Sequence, residues 1–230
     1  MATHPTFSII LPFLRQDDHM QSVMNDFKES LDTLGESYEI IIVINGESEA
    51  TAESQERVAG ENPRIIEGRL REAGWGRAIL WGFARSRGAY ICYTNTARTD
   101  AAELARLMRY ALVFNNWVVK SSRIERTRLR KWVSIFYNLE NRIVLGTPVW
   151  DVNATPKIIP RDVFENLRLT SANELLDAEL LYKAFQNRIP IIDIPILQWE
   201  RKGGRSVTNW LTAVRLFFGV LWLRWGKSNQ

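Results

Sequence analysis

A chain of 230 residues, 46% of them hydrophobic, can bury one large core, and suits a single α/β domain or a domain with a small appendage. Lys+Arg 30 against Asp+Glu 26 gives a net charge of +4. That mild basic bias fits anionic substrates or a membrane surface as well as it fits nucleic acid. The single cysteine, Cys92, excludes an internal disulfide framework and Cys-based zinc sites, and His4 and His19 are too few and too N-terminal for a metal cluster.

In chain order, the start is polar and its first apolar run is short, so no signal peptide is expected. Phe7-Ser-Ile-Ile-Leu-Pro12 predicts a short strand that stops at proline. Over residues 15–33, Met20, Val23, Met24, Phe27 and Leu31 fall on one helical face. Residues 38–44 are a continuous β-branched run, as in a central parallel strand covered on both sides. Asn45-Gly46 ends that run, and a polar helix is expected to begin near Ser48. Residues 64–67 predict a third strand. Trp75, Ala78, Ile79, Gly82 and Phe83 mark a helical stripe. Residues 89–93 read as a short apolar strand and 101–112 as a helix. The alternation implies a doubly wound parallel sheet with right-handed crossovers.

Further on, Trp117-Val-Val-Lys-Ser121 predicts a strand leading into the basic run 122–131, read as a solvated or ligand-facing loop. A mixed apolar helix is expected over 132–145, a strand or loop interrupted by Pro156 over 151–160, and a helix over 174–187. The strand 191–197 is placed at an edge by Pro195. Residues 209–225 are rich in Trp, Leu and Phe, with Thr212, Arg215 and Gly219 as a narrow polar stripe. The uncharged run 216–223 falls far short of the ~20 residues a spanning helix needs. An in-plane membrane helix and a terminal helix packed on the core or on a partner subunit are both open.

Chemistry is expected at residues 88–100, because ligands of open α/β sheets gather at the carboxyl ends of the strands. Cys92 sits inside this strand and reads as a buried, inert thiol. Residues 94–100 form the polar turn that follows.

Five segments in this order resemble the inverting GT-A glycosyltransferases of family 2, in the branch that acts on dolichyl or polyprenyl phosphate. They are Ser8-Ile-Ile-Leu-Pro-Phe-Leu-Arg, Glu39-Ile-Ile-Ile-Val-Ile-Asn-Gly-Glu-Ser-Glu, the Gly74-Trp-Gly-Arg segment running on to Gly88-Ala-Tyr, Leu176-Asp-Ala-Glu-Leu, and Arg201-Lys-Gly-Gly-Arg-Ser206. The resemblance covers residues 7–225. It implies an α/β fold of the GT-A, Rossmann-like type: a mostly parallel sheet with helices on both faces, spanning 1–208, and a C-terminal amphipathic helix at 209–230 on a membrane surface. It also implies a hexosyltransferase that uses a UDP- or GDP-linked sugar and a lipid-phosphate acceptor. Pro12, Leu14, Asn45, Glu47, Gly74, Arg77, Asn95, Thr96 and Ala97 would then bind the donor. Asp177, Glu179 and Arg201 would be catalytic, and Arg123, Arg130, Lys131, Arg205 and Ser206 would hold the diphosphate and acceptor phosphate. A phosphate acceptor is already ionised and does not strictly need a general base. The implied place is peripheral, on the cytoplasmic face of a membrane, with a homo-oligomer or a membrane-protein partner open. Nucleic acid is not an expected partner, since no docking helix or aromatic platform accompanies the basic run.

The sequence departs from the family at its metal site. Asn95, Thr96 and Ala97 stand at the Asp-x-Asp turn that holds Mg²⁺ or Mn²⁺, and a site without both carboxylates should bind a hard cation poorly. Ile44 and Asn45 replace paired aspartates, Leu14 and Arg15 a Tyr-Asn pair, Val207 a lysine, and Ala154-Thr-Pro-Lys157 a Ser/Cys-Gly-Phe-Lys segment. Three readings are open. Arg77, Arg98 or Arg123 supplies the missing charge; Glu47 or Asp100 restores a carboxylate, although Asp100 is also suited to cap the next helix; or the domain is an inactive paralogue that binds a nucleotide, a lipid or a protein partner.

Overall fold

A computed structural model describes residues 4–13, 17–46, 54–58, 64–95, 99–124, 128–197 and 210–226. In order these form β1 (Phe7–Phe13), α1 (Asp17–Asp32), β2 (Tyr38–Asn45), β3 (Ser54–Val58), β4 (Arg64–Leu70), α2 (Trp75–Phe83), β5 (Tyr90–Tyr93), α3 (Ala101–Val113), β6 (Val118–Arg123), α4 (Arg128–Val144), β7 (Lys157–Pro160), α5 (Arg161–Leu167), α6 (Leu176–Gln186), β8 (Ile191–Ile196) and α7 (Trp210–Trp225). The strands make one eight-stranded sheet in the order β3-β4-β2-β1-β5-β7-β6-β8. β4, β2, β1 and β5 are parallel, as are β6 and β8, while β3 and β7 run antiparallel to their neighbours.

The apolar runs of β1 and β2 are buried at every position, because helices cover both faces of the sheet. Ile9, Leu11 and Phe13 meet Val23, Phe27 and Leu31 of α1 and Leu104, Leu107 and Met108 of α3. On the other face Ile10, Ile41 and Val43 meet α2, α5, α6 and α7 through Ile79, Phe164, Leu180 and Val220. Cys92 is fully buried, and burial pushes its thiol up.

Two expectations need correction. The segment following Ser48 was expected to be helical, yet residues 54–58 pair antiparallel with β4; Ser48 itself lies outside the described residues. Such a polar segment carries no hydrophobic period, and the open edge of β4 supplies backbone partners that outweigh helix propensity. The sheet is mostly parallel, as expected, with β3 at one edge and β7 between β5 and β6 antiparallel. The basic run 122–131 is not one loop: Arg123 ends β6 and residues 128–131 open α4. Pro195 does mark an edge, as β8 is the outermost strand on its side.

The amino ends of the strands are locked by a buried carboxylate. Glu39 accepts from Ser8 Oγ at 2.6 Å, from Arg64 Nη1 at 2.8 Å and from the Arg87 amide. Ser8 Oγ in turn accepts from the Gly88 amide at 2.7 Å. A Cβ on Gly88 would lie 2.5 Å from the Ser8 backbone nitrogen, so a glycine is needed for this approach. Gly88→Ala should therefore lower the unfolding free energy by roughly 2–4 kcal/mol, read as an earlier midpoint in urea denaturation followed by circular dichroism.

Candidate functional site

The carboxyl ends of β1, β2 and β5 converge with the start of α2, the start of α6 and the loop before β7. Asn45, the last residue of β2, is 6% exposed and forms a closed pair with Gly74: its Nδ2 donates to the Gly74 carbonyl, and the Gly74 amide donates to its Oδ1, both at 3.1 Å. An aspartate could accept from that amide but could not donate to the carbonyl. The residue that departs from the family pattern is therefore the one that can make both bonds.

Helix α2 begins hard against residues 171–173. A Cβ on Gly74 would lie 2.5 Å from the Ala172 oxygen, and one on Gly76 2.0 Å from the Ser171 oxygen. The Gly76 and Arg77 amides donate to the Asn173 and Ala172 carbonyls at 3.2 and 2.8 Å. These first-turn amides are therefore engaged within the protein and are not a phosphate cradle. The Arg77 guanidinium forms an exposed pair with Glu72.

Asp177, in the first turn of α6, is 3% exposed and gathers three donors. Lys157 Nζ reaches its Oδ1 at 2.6 Å, Tyr93 Oη reaches the same oxygen at 2.8 Å, and Trp75 Nε1 reaches Oδ2 at 3.0 Å. Lys157 also donates to the Ala154 carbonyl at 2.7 Å. Burial pushes its ammonium down, and Asp177 pulls it back up. Burial and the Asp177 charge both push the Tyr93 phenol up, so it stays a donor.

The strand register extends this row to the sheet edge. Tyr93 stands opposite Lys157, Lys157 opposite Lys120, and Lys120 opposite Asp193. Lys120, fully buried, pairs with Asp193 and donates to the Trp150 and Ser121 carbonyls at 2.7 and 3.0 Å. One strand end further, Arg123 holds the buried Asp151 through Nη2, through Nε at 2.7 Å and through its backbone amide at 3.0 Å. Arg123 thus ends β6 and is tied to Asp151, instead of lying in the solvated or ligand-facing loop expected over 122–131.

Glu179 is also fully buried, and it ties down the loop that seats α2. It accepts from the Thr170 and Ser171 amides and from Lys183. Burial would raise its pKa, but these hydrogen bonds win and hold it down at about 2. Asn95 donates its amide to Thr155 Oγ1 at 3.2 Å and accepts from the Thr99 amide at 3.1 Å. Asp100 caps α3, accepting from the Ala102 and Glu103 amides at 2.9 and 3.3 Å. Pro12 is buried within β1. Leu14, Glu47, Thr96, Ala97, Arg98, Arg201, Arg205 and Ser206 lie outside the described residues, as do the side chains of Arg130 and Lys131 in α4.

Trp75, Tyr93, Lys157 and Lys120 escaped the reading of the sequence as site residues. The available signal was a lysine standing inside an apolar strand, at positions 120 and 157, where burial demands a partner. For a metal the donor set is poor. Asn95 contributes an amide oxygen at most, Ala97 has no donor atom, and Asp100 is spent on its helix. Among the described residues no group of three or more His, Cys, Asp or Glu could hold an ion. These residues do not fit a hard divalent cation.

The family model for glycosyl transferase family 2 matches residues 8–168. The low-salt glycan biosynthesis hexosyltransferase Agl6 of Haloferax volcanii is 24% identical over 225 residues, covering 89% of this chain and 50% of its own. The chain thus spans about half the length of that relative. Polyprenol monophosphomannose synthase of Mycolicibacterium smegmatis is 23% identical over 206 residues, covering 83% of this chain and 77% of its own. Among solved structures, glucosyl-3-phosphoglycerate synthase from Mycobacterium tuberculosis, in complex with Mn²⁺, UDP-glucose and phosphoglyceric acid, superposes with a TM-score of 0.68 at 16% identity. It covers 98% of this chain and 81% of its own, which establishes a shared GT-A fold.

Two outcomes are expected. Lys157→Met strands Asp177 in the interior and should lower stability by about 3–5 kcal/mol, with Lys157→Met/Asp177→Leu recovering part of the loss in the same denaturation assay. Because the folded pKa of Glu179 lies below its ordinary 4.5, its contribution is full above about pH 4.5 and fades as pH falls toward 2. Glu179→Gln should therefore flatten the loss of stability across that window by roughly 3 kcal/mol, measured as denaturation midpoints against pH.

Proposed function

The chain belongs to glycosyl transferase family 2, and we propose that it moves a hexose from a UDP- or GDP-linked donor to a polyprenyl-type lipid phosphate. The observation that carries the reading is the closed strand-end frame of Asn45, Gly74, Trp75, Tyr93, Lys157 and Asp177, at the place where such sheets bind ligands. A relative named for polyprenol monophosphomannose synthesis supports the acceptor class.

In this reading an acceptor phosphate oxygen attacks the anomeric carbon, and the bond from that carbon to the donor diphosphate breaks with inversion. The nucleoside diphosphate leaves with the electron pair. An ionised phosphate needs no proton removed, so no general base is required. Asp177 acts as a positioning residue: it fixes the Trp75 indole, the Tyr93 phenol and the Lys157 ammonium beside the donor. Glu179 acts one step further away, by holding the loop on which α2 rests. Pro12, Leu14, Asn45, Glu47, Gly74, Arg77, Asn95, Thr96 and Ala97 frame the donor. The departing diphosphate and the acceptor phosphate fall to Arg130, Lys131, Arg201, Arg205 and Ser206, since arginine forks match phosphate oxygens. Arg123 contributes by holding Asp151. Metal is at most an accessory, because the residues present make a weak donor set for Mg²⁺ or Mn²⁺.

No helix among the described residues is long and apolar enough to cross a membrane. α7 lies in the plane of the cytoplasmic face and brings the site to its lipid-borne acceptor. The loss of both metal carboxylates favours a second reading, a non-catalytic subunit that retains only ligand binding.

Calorimetric titration of UDP, GDP and their sugar conjugates, with Mn²⁺ and with EDTA, tests the proposal. Binding of one nucleotide sugar that persists in EDTA is expected, and Asn95→Asp with Ala97→Asp should make it respond to Mn²⁺. Strict Mn²⁺ dependence in the unmodified chain would overturn the metal-light reading. Absence of binding to every conjugate would overturn the transferase.

A further inference from the structure

A surface helix ordinarily turns its apolar side to the core. α4 does so only in part, through Tyr137 and Val144. Its buried positions include Asn138 and Asn141, 3% and 1% exposed, whereas Phe136, Leu139 and Ile143 are 66%, 44% and 73% exposed. The stripe 136, 139, 143 follows helical spacing and lies opposite 138, 141 and 145. The inward asparagines have work there: Asn138 Oδ1 accepts from the Val152 amide at 3.0 Å, and Asn141 Nδ2 donates to the Tyr137 carbonyl at 2.8 Å.

α7 packs on α4 and is apolar on both its buried and its exposed side. Leu216, Val220 and Leu223 are buried, while Val214, Phe217, Phe218, Trp222 and Trp225 are exposed. Trp150 stands exposed after α4, with Arg142 over its ring at 4.8 Å. Nine of the fifteen large apolar side chains exposed among the described residues therefore belong to this helix pair and its loop. Apolar exposure concentrated in one place marks a contact site.

We infer that α4 and α7 together form a docking surface for an anionic lipid bilayer, with the outward stripe of α4 as its second half. This extends the membrane contact proposed for α7 and does not depend on sugar transfer. Charge selects the occupant. The two helices carry five arginines and one lysine against a single glutamate, an excess of positive charge that the headgroups of anionic lipids attract. Tryptophan with arginine and lysine around an apolar face is the pattern of a helix lying in the headgroup layer, where anionic lipids attract the cations. Burial pushes Glu140 up to about 7, so the single carboxylate opposes that attraction weakly. At 17 and 16 residues, both helices are short of the ~20 needed to span.

Flotation of the full chain with phosphatidylcholine vesicles, with and without phosphatidylglycerol, tests this. Binding is expected to the anionic vesicles and to fall with added salt. Phe136→Gln/Ile143→Gln and Phe218→Gln/Trp222→Gln should each weaken it by about tenfold or more, with unchanged circular dichroism and melting temperature. Val113→Gln, on α3 and 75% exposed, should leave it unaltered. Calorimetric titration of nucleotide sugars on the same variants should match the unmodified chain, which separates failure of docking from failure of the donor reading. Vesicle binding by the α4 variant equal to the unmodified chain would overturn the inference. So would a lipid-free dimer, seen by light scattering, that the α4 substitutions convert to monomer, since the face would then join two copies of the chain.

Discussion

Asp177 holds together four elements that are distant in the chain. Lys157 of β7, Tyr93 of β5 and Trp75 of α2 all donate to it from the start of α6. A buried ion pair adds little net stability over a well-packed apolar replacement, but removal of one partner is severe. Its consequence here is geometric, since one carboxylate ties donors from three other elements to the start of α6. Trp75 and Tyr93 also meet edge to face at 6.1 Å, so the indole is held from two directions. Two residues along α6, Glu179 fixes the 170–171 loop, the neighbouring carbonyls seat the first turn of α2, and Asn45 closes the circuit through Gly74.

This economy of internal partners shapes the chemistry open to the strand ends. Lys120, Lys157 and Arg123 bring three cations to the sheet, and each is matched to a carboxylate: Asp193, Asp177 and Asp151. In the low dielectric of the interior, unmatched charges there would be prohibitive. The sheet therefore supplies a rigid, electrically balanced floor. Charge able to meet a diphosphate must come from side chains above it.

The pairing of α4 and α7 shows how tertiary placement divides a local pattern. The apolar residues of α4 have helical spacing, which ordinarily points to the core. The core side is shared by Tyr137 and Val144 with two asparagines, of which Asn138 holds the Val152 amide, and the stripe 136, 139 and 143 is left to face outward. A helix whose two sides are both usable has no unique orientation in sequence.

The sequence by itself determined the central strands, the edge position of β8, the Asp100 cap and the membership of a glycosyltransferase family. In each case the information is local: continuous β-branched runs, a proline, a capping aspartate and short motifs in a fixed order. It also showed the loss of the metal carboxylates, because side-chain chemistry at positions 95 and 97 is legible without coordinates. Tertiary structure alone decided that β3 is a strand, since a polar segment takes its backbone partners from whichever edge is free. It alone decided that Arg123 is tied to Asp151, that Lys120 and Lys157 stand in one cross-strand row, and that α4 turns one apolar stripe outward. Those outcomes depend on pairings between residues tens of positions apart, and a buried charge is placed by its partner rather than by its neighbours in the chain.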